Sequence, residues 1–313
     1  MSSDDTTTAT TTATTTATTT ATTTATTTAT TLPTSTTNLP SEWIKEQNEI
    51  RSKVIENDEG FPFTSGGLTL IGGVDISFVK DTSQALSALV VLTYPSMKVV
   101  YEDYRIVEMT EPYISGFLAF REVHHLKGLI DDLKVKHSMM VPQLIMVDGN
   151  GILHPRKCGL ASHLGVICNI PTIGIGKNLL NVDGLDKQYI QEWRNQTNAH
   201  MSEDSSSNSS TSTSTSTGSS SNRILKLIGT SGQCWGAALC IGNVLKPIYV
   251  SVGHRISLET ALKITIACSE FRIPTPVRAA DLGSRNILRK MAATAPEKKE
   301  DFEKEENVTS KTN

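Results

Sequence analysis

Three acidic side chains stand at positions in this sequence where carboxylates are uncommon. Asp75 interrupts the apolar run "LIGGVDISF", Glu122 borders an apolar helical stripe, and Asp148 ends the strand-like run "QLIMVD". Strands disfavour Asp, and a buried carboxylate needs a cation or hydrogen-bond donors to offset its loss of solvation. Carboxylate oxygens suit Mg²⁺, with Mn²⁺ as a substitute, and such ions activate water and neutralise charge in phosphoryl transfer. The three acids therefore predict a metal site, provided that the fold brings them together.

Each acid also has an ordinary structural explanation. Asp75 could face solvent on a half-buried strand, Glu122 alone would be a surface glutamate, and Asp148 could belong to a common Asp-Gly-Asn turn. Glycines after a strand, however, let a ligand approach the backbone, and Gly149 and Gly151 follow Asp148 directly. Ligands of open α/β sheets gather at the carboxyl ends of strands. The functional interpretation depends on whether the three acids converge.

Two basic residues extend this set. His254, in "VGHRISLETA", precedes a helix start, where a phosphate could be held and a histidine could donate a hydrogen bond or transfer a proton. A capping or packing histidine is the ordinary alternative. Lys177 ends the run "IGIGK", where its ammonium could meet a phosphate. This run is not an ATP-binding phosphate loop, because Pro171 and Asn178 replace the glycine and the Ser or Thr that such a loop requires.

The spacing of apolar residues predicts the elements that carry these side chains. An amphipathic helix at 42–55 precedes three strand-like runs, which predict an antiparallel meander. A helix at 117–133 follows, and then a strand, a helix and a strand in the order that predicts parallel pairing. Three further strands precede a last helix, which starts after its N-cap Ser257 and runs to about Phe271, before Pro274. The predicted fold is α/β, a mixed sheet of an antiparallel meander plus parallel strands, flanked by helices.

Low-complexity segments divide the 313 residues. Residues 1–40 are dominated by threonine triplets with nothing large to bury, which predicts a disordered tail. Residues 195–222 contain a Ser/Thr-rich insert, which a surface loop tolerates at little entropic cost, and 293–313 form a charged tail. Residues 41–292 without the insert amount to about 220 residues, the size of one domain.

Composition excludes several classes of protein. The net charge is -3, and since the two ends carry -2 each, the chain between them is near +1. That charge does not indicate nucleic-acid binding, although it is compatible with a local basic surface. The 5 cysteines form no CxxC pair, which argues against disulfides and zinc and favours a reducing compartment. With no apolar run of about 18 residues and no secretory signal, we expect a cytoplasmic or nuclear protein, nucleolus included, without a membrane partner.

Long motifs in this chain resemble the endonuclease V family. They are, in the family's order, "GGVDISF", "PYISGFLAFRE", "VDGNGILHPRKCGLASHLGV", "IPTIGIGKNLL" and "SVGHRISLETA", and "RIPTPVRAADLGSRNILRK" continues the match. The resemblance covers residues 40–292 except the insert, and motifs this long and numerous are highly specific. It implies a ribonuclease H-like fold and metal-dependent hydrolysis of the second phosphodiester bond on the 3′ side of inosine or deoxyinosine.

The resemblance also implies roles for individual side chains. The family's catalytic, metal-binding acids correspond to Asp75, Glu122 and Asp148. His254 matches a histidine near the reacting phosphate, and Lys177 matches a functionally important lysine. Asp281, in "RAADLGSRN", is a further candidate acid of the site.

Substrate-binding positions follow from the same resemblance. The family lets a flipped hypoxanthine base lie against backbone at positions that correspond to Phe78, Gly116, Leu118, Gly149 and Gly151. Its wedge, which fills the space that the flipped nucleotide leaves, corresponds to Pro112, Tyr113, Ile114 and Ser115. Ser115 replaces the second proline that the family usually has, so we expect a less rigid wedge that still supports activity.

Two other functions remain alternatives. A protein that binds inosine without cutting is disfavoured by the complete set of acids, and another ribonuclease H-like nuclease, such as a junction resolvase, is disfavoured by the wedge and the glycines. Bacterial relatives act on deoxyinosine in DNA and animal relatives favour inosine in RNA. Because the low-complexity segments look eukaryotic, we expect single-stranded RNA as the substrate, although no reader of the 2′-hydroxyl is recognisable. The sequence indicates no protein partner.

Overall fold

The computed structural model describes residues 41–60, 66–203 and 222–294, with the backbone alone for 196–203 and 294. The helices are α1 (Ser41–Ser52), α2 (Leu118–Lys136), α3 (Leu160–Cys168), α4 (Lys187–Glu203), α5 (Leu258–Ala267) and α6 (Thr275–Thr294). The strands are β1 (Leu70–Phe78), β2 (Gln84–Thr93), β3 (Val99–Glu108), β4 (Leu144–Asp148), β5 (Thr172–Gly176), β6 (Arg223–Ile228), β7 (Cys234–Cys240) and β8 (Ile248–His254). The predicted tail at 1–40 and most of the predicted insert and charged tail lie outside the described residues.

The strands form one mixed sheet in the order β3-β2-β1-β4-β5-β8-β7-β6. β1, β4 and β5 are parallel neighbours, whereas the β1-β2-β3 meander and the β5-β8, β7-β8 and β6-β7 pairs are antiparallel. The predicted α/β fold with a meander plus parallel strands is therefore confirmed. The parallel centre matters for function, because β1, β4 and β5 all point their carboxyl ends to the same edge.

Helices cover both faces of this sheet. Ile145 and Val147 of β4 pack with α2 and α3, while Leu144 and Met146 face the opposite core, to which α5 and α6 contribute. Successive side chains of a strand point to opposite faces, so Asp148 continues the series toward α6. None of the helices in the described ranges is long and apolar enough to cross a membrane.

Helix α4 corrects one boundary that the sequence suggested. The predicted insert begins at 195, but α4 continues to Glu203, so residues 195–203 are helical. Asp186 accepts a hydrogen bond from the Tyr189 backbone N–H at 2.9 Å, which satisfies one of the free donors of the first turn. The polar composition of residues 195–203 gives no apolar period from which a helix could be predicted.

Helix α6 was not predicted at all. The predicted last helix does begin after Ser257, whose side chain accepts from the Thr260 N–H, but it ends at Ala267. Pro276 then lies in the first turn of α6, where a missing N–H costs nothing. α6 packs so closely on β1 that a Cβ at Gly73 would lie 2.0 Å from the Pro276 carbonyl oxygen. This contact brings α6 to the site.

Candidate active site

Three aspartates from different elements meet at the carboxyl edge of the parallel strands. One carboxylate oxygen from each of Asp75, Asp148 and Asp281 lies within 4.8 Å of the others. The β1–β4 register pairs Val74 with Val147, which makes Asp75 and Asp148 neighbours on adjacent strands. α6 supplies Asp281 from the face toward which Asp148 points. A set of carboxylate oxygens this close together can hold a divalent metal ion.

Lys177 is the cation within this cluster. It follows β5 directly, and its Nζ donates a hydrogen bond to Asp148 Oδ2 and lies 3.7 Å from Asp281 Oδ1. Burial alone would lower the pKa of Lys177, but the neighbouring carboxylates, with Asp148 first, raise it. Arg285, one turn after Asp281, approaches Asp281 Oδ1 at 2.8 Å. The side chain of Lys177 is therefore charged and points to the acids.

Two of the acids hold their protons unusually tightly. The pKa of Asp75 is raised to about 7, first by burial and then by the hydrogen bond with Asp148 and the charge of Asp148. Burial, followed by the charges of Asp75 and Asp148, raises the pKa of Glu122 to about 8. Glu122 lies in the second turn of α2 and is nearly fully buried. The structure thus brings Asp75 and Asp148 together with Asp281, while Glu122 is near enough for the charges of Asp75 and Asp148 to raise its pKa. Acids with pKa values raised in this way are typical of a site that lacks enough positive charge.

A hydroxyl bridge fixes α6 to β1 beside the cluster. The Ser77 hydroxyl donates to Asp75 Oδ2 at 3.2 Å and lies 2.7 Å from the Ser284 hydroxyl. Ser284 in turn donates to the Asp281 carbonyl at 3.0 Å. These contacts hold Asp281 at a fixed position relative to Asp75, which supports its place in the site.

The structure corrects the prediction for His254. β8 runs antiparallel to β5 and pairs His254 with Thr172, the first residue of β5, whereas β4 pairs Asp148 with Ile175, near the carboxyl end of β5. Ile175 lies three residues after Thr172, roughly 10 Å along the strand. His254 is buried, accepts a hydrogen bond from the Ile55 N–H at 3.3 Å, and has its pKa lowered to about 4 by burial and then by Arg255. It is a packing histidine.

The predicted phosphate site next to His254 is occupied by a carboxylate of the chain. At the N-terminus of α5, Asp58 accepts from the Ser257 N–H at 2.7 Å, the Ser257 hydroxyl at 3.1 Å and the Thr260 hydroxyl at 2.7 Å. A carboxylate of the chain itself therefore stands where a phosphate was predicted.

A cavity of about 390 Å³ adjoins the carboxylates. It shares Asp148 and Lys177 with the cluster, and its further lining includes Tyr113, Ser115, Gly116, Leu118, Gly149 and Asn150. These are most of the positions predicted for base recognition. The Oδ1 atom of Asn150 is buried without a hydrogen-bond partner among the described residues. An acceptor of this kind is available to a ligand that carries a donor.

Two predicted base-pocket residues lie elsewhere. Phe78 borders a different cavity, of about 490 Å³, together with the carboxylates and Arg289. Gly151 packs on β8, where a Cβ would lie 1.9 Å from the Val252 carbonyl oxygen. It permits a close approach within the protein and does not line the base cavity.

The predicted wedge projects from the rim of this cavity. Pro112 and Ser115 are exposed, Ile114 is half-buried, and Tyr113 is the most prominent, with 68% of its surface accessible. The Ile114 carbonyl accepts from the Phe117 N–H at 2.9 Å, which closes the turn that leads into α2. An exposed aromatic side chain beside a base cavity suits insertion into a base stack.

The carbonyl of Gly116, at the base of the wedge, accepts hydrogen bonds from three side chains. The donors are Gln47 Nε2 at 3.3 Å, His154 Nε2 at 3.0 Å and Arg156 Nη2 at 2.8 Å. His154 Nδ1 accepts from the Arg156 N–H, so the ring is neutral, and burial lowers its pKa to about 4. Gly116 itself has a φ of 81°, which favours glycine.

Gln47 was not identified as a functional residue from the sequence. It is only 1% exposed, donates to the Cys158 carbonyl at 2.6 Å and accepts from Arg156 Nε, so it connects α1 to the loop after β4. The sequence did contain a pattern that could have identified it, because Gln47 lies between Trp43 and Ile50 on one helical face of α1. A polar residue on an apolar stripe requires partners, and here the partners belong to the wedge and the base cavity.

Comparison with known proteins agrees with this geometry. The family model described as Endonuclease V matches residues 48–282. An endonuclease V from Mus musculus is 42% identical over 283 residues, which cover 88% of this chain and 77% of that protein.

Solved structures show the same similarity. The catalytic domain of human endonuclease V superposes with a TM-score of 0.71 at 40% identity, covering 82% of this chain and 98% of that chain. Ciona intestinalis endonuclease V, in complex with a 24mer DNA that contains an inosine followed by a ribo-adenosine, has a TM-score of 0.70 at 36% identity. This match covers 80% of this chain and 98% of that chain.

Proposed function

Because the chain belongs to the endonuclease V family, and is therefore an endonuclease, we propose that it hydrolyses the second phosphodiester bond on the 3′ side of inosine in a Mg²⁺-dependent reaction. One observation carries the proposal: the base cavity and the carboxylate cluster share Asp148 and Lys177. A strand whose base enters the cavity passes its phosphates over the acids. The distance between the base cavity and the acids therefore selects which phosphodiester bond of the strand is cleaved.

The donor set fits Mg²⁺ or Mn²⁺. All donors are carboxylate oxygens, and burial, followed by the neighbouring carboxylates, raises the pKa values of Asp75 and Glu122 to about 7 and 8. Asp75, Asp148 and Asp281 would hold the ion, with Glu122 beside them. When bound, such an ion activates a water molecule and neutralises charge at the phosphate.

The chain's own residues supply orientation and further charge. Lys177, which carries its proton, places an ammonium at the cluster and can hydrogen-bond a phosphate oxygen. The backbone at Gly116 and Gly149 lines the cavity, where the absence of a side chain lets a flipped base reach peptide groups. Tyr113 fills the gap that the base leaves, which offsets part of the unstacking cost.

We propose single-stranded RNA as the substrate, in preference to deoxyinosine-containing DNA. The eukaryote-like low-complexity segments support this preference. The Ciona protein is bound to a strand with a ribonucleotide directly after inosine, so a family member accommodates a 2′-hydroxyl at that position. We also propose a cytoplasmic or nuclear location, nucleolus included, to which the unpaired state of all 5 cysteines is suited.

The test uses end-labelled single strands that carry one inosine in an RNA or a DNA background, at matched salt, with adenosine strands as controls. We expect metal-dependent cleavage between the first and second nucleotides that follow inosine, no cleavage with chelator, and faster cleavage of RNA. Binding without a product in any metal would identify an inosine-binding protein. Cleavage of four-way junctions but not of inosine strands would identify a resolvase.

A further inference from the structure

A second aromatic surface lies next to the carboxylates, outside the base cavity. Phe271, in the loop between α5 and α6, is 52% exposed, and the Arg278 guanidinium carbon stands 4.5 Å from the centre of its ring. These two side chains and Asp281 border a cavity of about 370 Å³. Asp281 also belongs to the carboxylate cluster, so this cavity and the candidate metal site share a residue.

The loop that carries Phe271 is fixed by its neighbour. Arg272 donates to the carbonyls of Lys177 at 2.7 Å, Pro247 at 2.9 Å and Lys246 at 3.2 Å. The guanidinium of Arg272 therefore ties the loop to the backbone of the active-site lysine. An exposed aromatic ring held in place by such an anchor loses little entropy when a ligand stacks on it.

Arg278 supplies charge that the protein does not neutralise. It forms no ion pair with the residues that the structure describes, whereas Arg285 is paired with Asp281. A guanidinium stacked on an aromatic ring keeps its outward N–H groups free for phosphate oxygens. An aromatic face with an adjacent free cation is the combination that binds single-stranded nucleic acid without sequence preference.

The course of a bound strand follows from the two cavities. The base cavity meets the cluster at Asp148 and Lys177, and the Phe271 cavity meets it at Asp281. A strand that places a base in the first cavity and a phosphate at the acids must continue beyond them. The second cavity offers this continuation a stacking surface and a cation.

We propose that Phe271 and Arg278 form a binding subsite for the nucleotides on the 3′ side of the cleaved bond. A base stacks on Phe271 and its phosphate contacts Arg278. The proposal rests on the proposed function, since the cleaved bond lies 3′ to the recognised base. It explains how the enzyme would hold the departing strand without reading its sequence.

The test uses single-stranded inosine substrates that are identical up to the cleaved bond and extend one, two, four or eight nucleotides beyond it. For the full-length wild-type chain, KM should fall as this arm lengthens and then level off. Phe271→Ala should raise KM roughly 5- to 50-fold on the long arms and leave the one-nucleotide arm within about twofold, because stacking on an aromatic ring is lost only where a base reaches it.

Three controls isolate the stacking contribution. Phe271→Trp should restore wild-type KM, and Met139→Ala, at an exposed apolar residue of the α2–β4 connection, should change nothing. Abasic nucleotides in the long arm should abolish the difference between wild type and Phe271→Ala. Arg278→Gln should weaken all long arms, abasic ones included, and reduce the slope of log KM against log salt by about one.

The same arm series is measured by fluorescence anisotropy in EDTA, so that binding is recorded even without cleavage. If wild type cleaves inosine strands but Phe271→Ala affects every arm length equally, or none, the subsite is refuted while the proposed function stands. If wild type neither cleaves nor prefers inosine, the proposed function fails, and arm-length dependence in anisotropy then decides the subsite separately.

Discussion

The two ends of strand β5 are both surrounded by titratable groups, but these groups have very different partners. At the amino end, His254, Arg255 and Asp58 are joined to the protein itself. At the carboxyl end, Asp148, Asp75 and their neighbours face one another. The difference separates charges that stabilise the fold from charges that await a ligand.

At the amino end, each of these groups has a partner within the chain. Asp58 accepts three hydrogen bonds from Ser257 and Thr260, His254 accepts from the Ile55 N–H, and Arg255 donates to Asn169 Oδ1 at 3.0 Å. These contacts fix the side chains to the protein itself, and the Asp58 carboxylate repels a phosphate at this position.

At the carboxyl end, the carboxylates outnumber the cations. Lys177 and Arg285 are the cations that pair with the acids among the described residues, and burial, followed by the neighbouring carboxylates, raises the pKa values of Asp75 and Glu122 to about 7 and 8. A buried cluster of like charges destabilises the fold unless something else binds, so its presence indicates function.

The largest expected effect is on cleavage. Asp75→Asn or Asp148→Asn should lower kcat/KM for an inosine strand by at least about 10³-fold, because each removes a carboxylate from the metal site. Single-turnover rates at saturating Mg²⁺ measure the loss. His254→Asn, which keeps an acceptor near Nδ1, should stay within about threefold of wild type at a temperature where both are folded. Equal losses at both ends of β5 would contradict the comparison.

The second prediction concerns stability as a function of pH. The folded pKa values of Asp75 and Glu122 are raised above their usual ones, so the folded state binds more protons and stability falls as pH rises through about 7 to 8. His254 has the opposite sign: its lowered pKa costs stability as pH falls below 6.5. Urea unfolding in EDTA should therefore show a loss on the order of 1–2 kcal/mol between pH 6.5 and 8.

Two comparisons verify the source of that loss. Asp75→Asn should reduce the loss above pH 6.5 without abolishing it, because it removes one of the two titrating carboxyls and one of the charges that raise the pKa of Glu122. Mg²⁺ should restore stability most at pH 8, where the carboxylates are ionised and protons no longer compete with the ion. A curve that keeps its slope in Asp75→Asn would place the titration elsewhere in the protein.

The smallest expected effect concerns the amino end of β5, where the charged groups bind to the protein itself. Asp58→Ala removes the carboxylate that accepts hydrogen bonds from Ser257 and Thr260 at the N-terminus of α5, which should cost about 1–2 kcal/mol of the free energy of unfolding. Asp58→Asn keeps one acceptor oxygen and should cost less. Neither variant should change kcat/KM for inosine strands by more than about twofold below the unfolding transition. A large change in KM would mean that the α5 N-terminus contacts the substrate after all.

Much of the site could be predicted from local pattern. Asp75 and Asp148 were recognisable because an acid inside or at the end of an apolar strand requires a partner, and Lys177 because it ends a buried strand. The meander, the α2 helix and the parallel centre followed from periodicity. Helix α6 was not predicted from periodicity, because prolines such as Pro274 and Pro276 commonly mark the end of a helix. In the structure, Pro276 lies in the first turn of α6.

The sequence by itself determined which side chains are chemically able to hold a metal and a base, because residue type and apolar spacing are local properties. Only the tertiary structure decided which of them meet. The direction of β8 excludes His254, the packing of α6 on Gly73 adds Asp281, and the partners of Gln47 connect α1 to the wedge. Strand direction and helix packing depend on contacts between residues far apart in the chain, which no local pattern records.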